Sequence, residues 1–211
     1  MRIEKMNQYE LNRIKQRERI MKYAFGEFLK KGLKAVKVDN IAADMGISKR
    51  TLYELFGDKE RLLIECLKYN HEQRRKEFEQ IRKDSKNALE TLIKIYHGRL
   101  KEVNAVNPAF LSDIKKYDQL IPFMEQMSEE KNEFALMFIE ECVKEGLFRS
   151  DIDYNLLLNT FDILCRAILD NELYKQYGFE SIVNTLDLTF IRGVCTAKGL
   201  KIVDSSEYSL L

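Results

Sequence analysis

The stretch Asp39–Glu60, DNIAADMGISKRTLYELFGDKE, decides how the rest of the chain is read. Gly46 stands between two short runs with helical apolar spacing, and Ser48, Lys49, Arg50, Thr51 and Tyr53 follow it at once. With Gly46 as pivot, Ile41, Ala42 and Met45 before it and Ile47, Leu52 and Leu55 after it satisfy the offsets of a helix-turn-helix. The reasons are steric. Ala42 must be small where the second helix crosses the first, and Gly46 takes a positive φ at the turn without a Cβ penalty. The apolar residues form the wedge between the helices. Ser48 is placed to cap the second helix by accepting from its free N–H groups. A two-helix corner with no part in DNA binding would meet the same apolar demands.

Outward from this stretch the chain reads as helix throughout. Towards the N-terminus, apolar residues from Ile14 to Leu29 recur at three- and four-residue steps, predicting an amphipathic helix over Arg13–Lys31 that Gly32 ends. Val38–Met45 and Lys49–Leu55 are the two helices of the motif. Asp58 is a good N-cap for the next helix, from Lys59 to about Arg82. That helix is apolar in its first half and charged in its second, as a connector between two modules would be. Further helices are expected from Ser85 to about Val103, from Asn107-Pro108, and from Ile121-Pro122 to near Gly146. Two strongly apolar segments, Tyr154–Leu173 and Phe179–Gly199, close the fold. Asp151 and Asp153 precede the first of them and read as caps, not as metal ligands. The expected class is all-α: a three-helix DNA-binding module over residues 1–65, a connector at 66–82, a larger helical effector-binding and dimerisation domain at 83–200, and a fraying tail at 201–211.

Composition agrees with that class and excludes others. The 211 residues are 45% hydrophobic and 33% charged, with nine Gly and two Pro, so helix breakers are few. Net charge is +1, but residues 1–65 carry 15 Lys/Arg against 10 Asp/Glu while the remainder is acidic. This asymmetry points to a polyanion partner for the front of the chain. Cys66, Cys142, Cys165 and Cys195 are far apart, without metal or CxxC spacing, and read as reduced core thiols of a cytoplasmic protein. No stretch approaches a membrane span. With His71 and His97 the only histidines, and no HExxH, GxSxG or phosphate-binding Gly loop, an enzyme is not expected. Nor is a cofactor or a metal.

VDNIAADMGISKRTLYELFGDKERLL, with Gly32 and the preceding helix, resembles the DNA-binding region of the TetR/AcrR family of transcriptional regulators. The matching residues are Ile41-Ala42, Gly46-Ile47-Ser48, Thr51-Leu52-Tyr53, Phe56 and Lys59-Glu60, and the resemblance covers about residues 15–65. One departure stands out. Where the family often has a capping Thr, this chain has Lys37, so either Asp39 caps that helix or it starts less firmly. Lys37 could replace the usual hydroxyl contact with a cationic one.

The expected DNA contacts are Lys37, Ser48, Lys49, Arg50, Thr51, Tyr53 and Lys59. A helix N-terminus with two cations and two hydroxyls suits a phosphate-lined groove. Lys49 and Arg50 reach either guanine edges or phosphates. The resemblance gives Tyr53 and Lys59 to the DNA backbone. Arg13, Lys15 and Arg17 either reach a neighbouring groove or are solvated surface charge.

The resemblance further implies a homodimer, a double-stranded DNA operator that is a palindrome or nearly so, and a small-molecule effector whose binding releases the operator. Paired recognition helices would stand about 34–36 Å apart. Phe179, Val183, Leu186, Phe190, Gly193 and Ala197 step by four and three like a heptad seam. The dimer candidates are Leu157, Phe161, Leu164, Ile168, Val183, Leu186, Phe190 and Val194. The effector-lining candidates are Tyr96, His97, Phe110, Phe138, Cys142, Phe161 and Cys165, with Phe123 and Phe134 beside them; plain core packing is the competing reading of each. A helix-turn-helix protein that works through protein partners without ligand control is the alternative.

Overall fold

Described residues of the computed structural model are 7–103, 106–114 and 116–205. They form eleven α-helices and one short 3-10 turn. Each helix has a local cause. α1, Gln8–Lys31, starts from a capping box in which Asn7 accepts from the Tyr9 N–H and Glu10 reaches back to the Asn7 N–H. α2 is Val38–Asp44 and α3 is Lys49–Phe56, with Gly46 between them at φ +65°. α4, Lys59–Lys83, starts where the Asp58 carboxylate accepts from the Arg61 N–H at 2.8 Å. α5 is Ala88–Val103, α6 Pro108–Ile114 and α7 Ile121–Lys144. α8, Tyr154–Asp170, is capped by Asp153, which accepts from the Leu156 N–H at 3.0 Å. Asp151 instead pairs with Arg149. α9 is Leu173–Tyr177, α10 Phe179–Val194 and α11 Ala197–Val203.

Several boundaries differ from the sequence-based expectation. α1 begins at Gln8, ahead of Arg13, so Arg13, Lys15 and Arg17 lie within it. Asn7 and Glu10 supply the start signal there, and the first turns have little apolar content to reveal it. α5 begins at Ala88 because Asn87, not Ser85, accepts from the Glu90 N–H. The closing helix stops at Val194. Cys195 forms an antiparallel bridge with Phe148, and Thr196 caps α11. Ala197 therefore lies on a different helix from Gly193, and the heptad seam ends before it. Of the expected tail, 201–203 is helical, and 206–211 lies outside the described residues.

The chain divides into two units. The first comprises residues 1–76 with 109–120; the second comprises 77–108 with 121–211. The expected single domain over 83–200 therefore gives up most of α6 to the N-terminal unit. In the first unit Ile20, Ala24 and Phe28 of α1, Ile41 and Ala42 of α2, Leu52 and Phe56 of α3, and Leu62, Leu63 and Cys66 of α4 are all buried. Residues 109–114 join them. The Phe110 ring meets Phe25 edge-on at 6.2 Å, and Ala109 stands against the end of α1. Gly32 makes this approach possible. It has φ +82° and ψ 159°, a region open essentially to glycine, and a Cβ there would stand 3.0 Å from the Ala109 Cβ.

The core of the second unit gathers Phe78, Leu89, Ile93, Phe138, Cys142, Leu147, Phe148, Val194, Cys195 and Val203. Phe78 meets Phe134 and Phe138 edge-on at 4.2 and 4.9 Å. The Arg149 N–H donates to the Val194 carbonyl and the Thr196 N–H to the Leu147 carbonyl, tying the α7–α8 loop to the end of α10. Burial pushes the Cys66 and Cys142 thiols up to about 12 and Cys195 up to about 11, so at neutral pH these three are inert thiols. Among the described residues no helix is long and apolar enough to cross a membrane.

Gly32→Ala combines a disfavoured backbone with a tight contact. It is expected to cost about 1–3 kcal/mol of stability and to lower the midpoint of thermal unfolding followed by circular dichroism.

Candidate nucleic-acid interface

α3 is placed by burying one face and exposing the other. Leu52 and Phe56 are buried, while Lys49, Arg50, Tyr53 and Glu54 are exposed. Ser48 has extended backbone, its hydroxyl accepts from the Thr51 N–H at 3.0 Å, and it exchanges a further hydrogen bond with the Thr51 hydroxyl. The cap thus satisfies one donor of the first turn and leaves neighbouring N–H groups at an exposed helix start. Above Phe56 the Arg17 guanidinium lies 4.5 Å from the ring centroid. It also donates to the Leu55 carbonyl and, at 3.0 Å, to Glu65. Arg17 is therefore a clamp that joins α1, α3 and α4, and not a solvated charge.

The cations at the front of α3 are held in pairs. The Lys49 ammonium is 2.7 Å from Asp39 and 5.8 Å from the Tyr53 ring centroid; Arg50 donates to Glu54 at 2.8 Å. The Asp39 carboxylate holds the Lys49 ammonium above its ordinary pKa, and Glu54 does the same for Arg50. Both pairs are solvent-exposed, so they orient the side chains at little energetic gain. Tyr53 is 42% exposed. Lys37 sits at the N-cap of α2 but makes no side-chain capping bond, and Asp39 is spent on Lys49. α2 therefore starts without a side-chain cap, leaving the exposed Lys37 available.

Lys59 departs from expectation. Its ammonium donates to the Leu33 carbonyl, and burial lowers its pKa. The N–H on the other side of that same peptide group, from Lys34, donates to the Asp113 carboxylate at 3.0 Å. One peptide bond in the α1–α2 connection is thus gripped at its oxygen by α4 and at its nitrogen by α6. The spacing of Lys59 in the sequence matched a surface phosphate contact. A partner 26 residues away left no local signal.

The effector-lining candidates do not assemble in one place. Phe110 belongs to the N-terminal unit, packed on Phe25. Phe138 and Cys142 are fully enclosed in the core of the second unit. Tyr96 is buried too; its hydroxyl donates to Asn184 at 2.6 Å, and burial pushes its pKa up to about 12. His97 meets the Tyr96 ring at 5.9 Å and is half-buried, as are Phe161 and Cys165. A shallow cleft on this unit is lined by Tyr177, Gly178, Phe179, Ser181, Asn184 and Thr185 and includes none of the candidates.

Of the dimer candidates, Ile168 and Val194 are corrected, because both are already buried within the protomer. Leu157, Phe161, Leu164, Val183, Leu186 and Phe190 are half-buried, and Phe161 meets Phe190 edge-on at 4.9 Å. Leu156 and Ile163, seven residues apart on α8, are 63% and 64% exposed. The sequence reading missed these two, although a second apolar row on that helix was its available signal.

The family model described as "Bacterial regulatory proteins, tetR family" matches residues 20–66. A curated relative, the HTH-type transcriptional repressor KstR2 of Mycolicibacterium smegmatis, is 26% identical over 150 residues, 67% of this chain and 71% of that protein. Among solved structures, a TetR-family regulator from Agrobacterium tumefaciens aligns with a TM-score of 0.68 at 12% identity, covering 88% of this chain and 100% of that one. A gamma-butyrolactone receptor described as ArpA-like aligns with a TM-score of 0.61 at 21% identity, covering 90% and 92%.

Asp113→Ala leaves the part-buried Lys34 N–H without its acceptor. It is expected to cost about 1–3 kcal/mol in denaturant unfolding, and Asp113→Asn, which keeps an acceptor oxygen, is expected to cost less.

Proposed function

This chain belongs to the TetR family of bacterial transcriptional regulators, and on that premise we propose that it is a dimeric repressor that leaves a palindromic operator when a small molecule binds its second unit. It is a regulator, not an enzyme. The observation that carries the reading is the capped, exposed start of α3, where Lys49, Arg50 and Tyr53 stand clear of the protein behind Ser48. Such an end fits a major groove, with hydroxyls, amides and cations meeting phosphates and Lys49 or Arg50 within reach of guanine edges. The Lys49–Asp39 and Arg50–Glu54 pairs open on docking, and each cation then exchanges a carboxylate for a phosphate or a base.

Dimerisation is supported by the outward apolar positions of α8 and the half-buried stripe on α10. Leu156 and Ile163 extend the row of Leu157, Phe161 and Leu164, and Leu186 and Phe190 supply the adjoining surface. An exposed apolar strip of this kind is the ordinary mark of an association surface. A two-fold axis through it would present two α3 helices to successive turns of DNA. Repression follows the habit of the named relative, and ligand control follows that of the structural neighbour described as a receptor. The cytoplasm, where the DNA lies, is its place of action.

Selection of duplexes from a random pool, followed by gel-shift at stated salt, tests the reading. Wild-type protein is expected to retain a palindromic sequence, and Lys49→Ala with Arg50→Ala to lose it by at least about tenfold. Retention of full affinity by that double variant would remove α3 from the interface. Ile163→Glu, at a position already open to solvent, is expected to run as a folded monomer in light scattering and to bind the retained duplex far more weakly.

A further inference from the structure

The cleft between the N-terminal half of α1 and α3 is the largest surface feature of the first unit left unused so far. Its volume is about 770 Å³, and it is open to solvent. The α1 wall carries Asn12, Arg13, Gln16 and Arg19, which recur at steps of one helical turn and so form one stripe, with Lys15 beside it. The α3 wall is Thr51, Glu54 and Leu55. Thr51 is hydrogen-bonded to Ser48 at the reading end of α3, and Glu54 is the partner of Arg50. The cleft therefore begins where the proposed reading face ends.

Its charge is what decides the occupant. Lys49, Arg50, Arg17 and Lys59 all have protein partners, and Arg19 donates to the Met45 carbonyl at 3.1 Å. Arg13 and Lys15 are exposed and have no ion-pair partner among the described residues. The one carboxylate in the lining, Glu54, is engaged by Arg50. A polar, solvent-open trough with uncompensated cations, two amides and a hydroxyl is poorly suited to an apolar small molecule. It suits a run of sugar–phosphate, which takes charge from Arg and Lys and hydrogen bonds from Asn, Gln and Thr.

We propose that this cleft seats a strand of the operator backbone, with Arg13 and Lys15 neutralising phosphates beside the groove that α3 enters. The inference rests on the DNA-reading function proposed above. It makes α1 a second contact surface: the cations of α3 must leave carboxylates to bind, whereas those of α1 are ready.

The test titrates wild type, Arg13→Gln, Lys15→Gln and the double variant against the duplex that wild type retains from a random pool, between 50 and 200 mM salt. The expected slope of log affinity against log salt is shallower by about 0.9 for each cation replaced, which reduces the affinity lost over that range by about 3.5-fold per cation. Retained and scrambled duplexes are expected to weaken by the same factor, and hydroxyl-radical footprints to lose backbone protection flanking the central contact. Both side chains are exposed, and unchanged circular dichroism will show that the variants fold. Variants with the wild-type slope and footprint overturn the inference while the DNA-reading function stands, and would leave the cleft to an acidic protein surface. Wild-type protein that retains no duplex overturns both.

Discussion

An eight-residue helix has no stability of its own in water, so everything this protein presents through α3 depends on how that helix is held. Leu52 and Phe56 anchor it inside the first unit, Ser48 ties its start, and Arg17 covers Phe56 while gripping the Leu55 carbonyl near its end. None of these groups needs to touch DNA. They use up the apolar face and the C-terminal end, and what is left outward is the polar face with its N-terminal start. Gly46 makes the arrangement possible by turning the chain at φ +65° within two residues of the cap.

The electrostatics of the unit fall into two classes with different physical roles. Arg17 and Lys59 are partly buried and bound to backbone carbonyls, where a cation fixes the geometry of neighbouring helices. Lys49 and Arg50 lie in exposed pairs that water screens. The first class is expensive to disturb and the second is cheap to open, which is the division expected between a scaffold and a contact surface. Sequence alone gives both classes the same letters.

That difference sets how far the chain could be read beforehand. The motif was legible because its signals are local: Gly46 at a turn, Ser48 and Asp153 as caps, Pro108 at a helix start. The features that escaped are settled across distance. Phe110 is an apolar residue on a short helix, and nothing near it says which of two cores it enters. Ile168 and Val194 carry the right spacing for a seam but are buried by their own protomer. The stop at Val194 had a visible sign in Thr196, a capping residue, which the continuous apolar pattern outweighed. The seven effector-lining candidates were chosen as polar or aromatic positions in apolar surroundings. That criterion selects satisfied core residues such as Tyr96 and Cys142 just as readily.

The peptide group joining Leu33 and Lys34, held at one end by Lys59 and at the other by Asp113, has a consequence for where this protein can be cut. The DNA-reading unit is not a contiguous cassette, since residues 109–120 return to it after the chain has left. A fragment stopped after α4 would strip the ring from Phe25, uncover the end of α1 at Gly32 and orphan an amide beside α2. Grafting this reading head onto another body would therefore require both passages of the chain, or a substitute for α6 that restores one carboxylate and one aromatic ring.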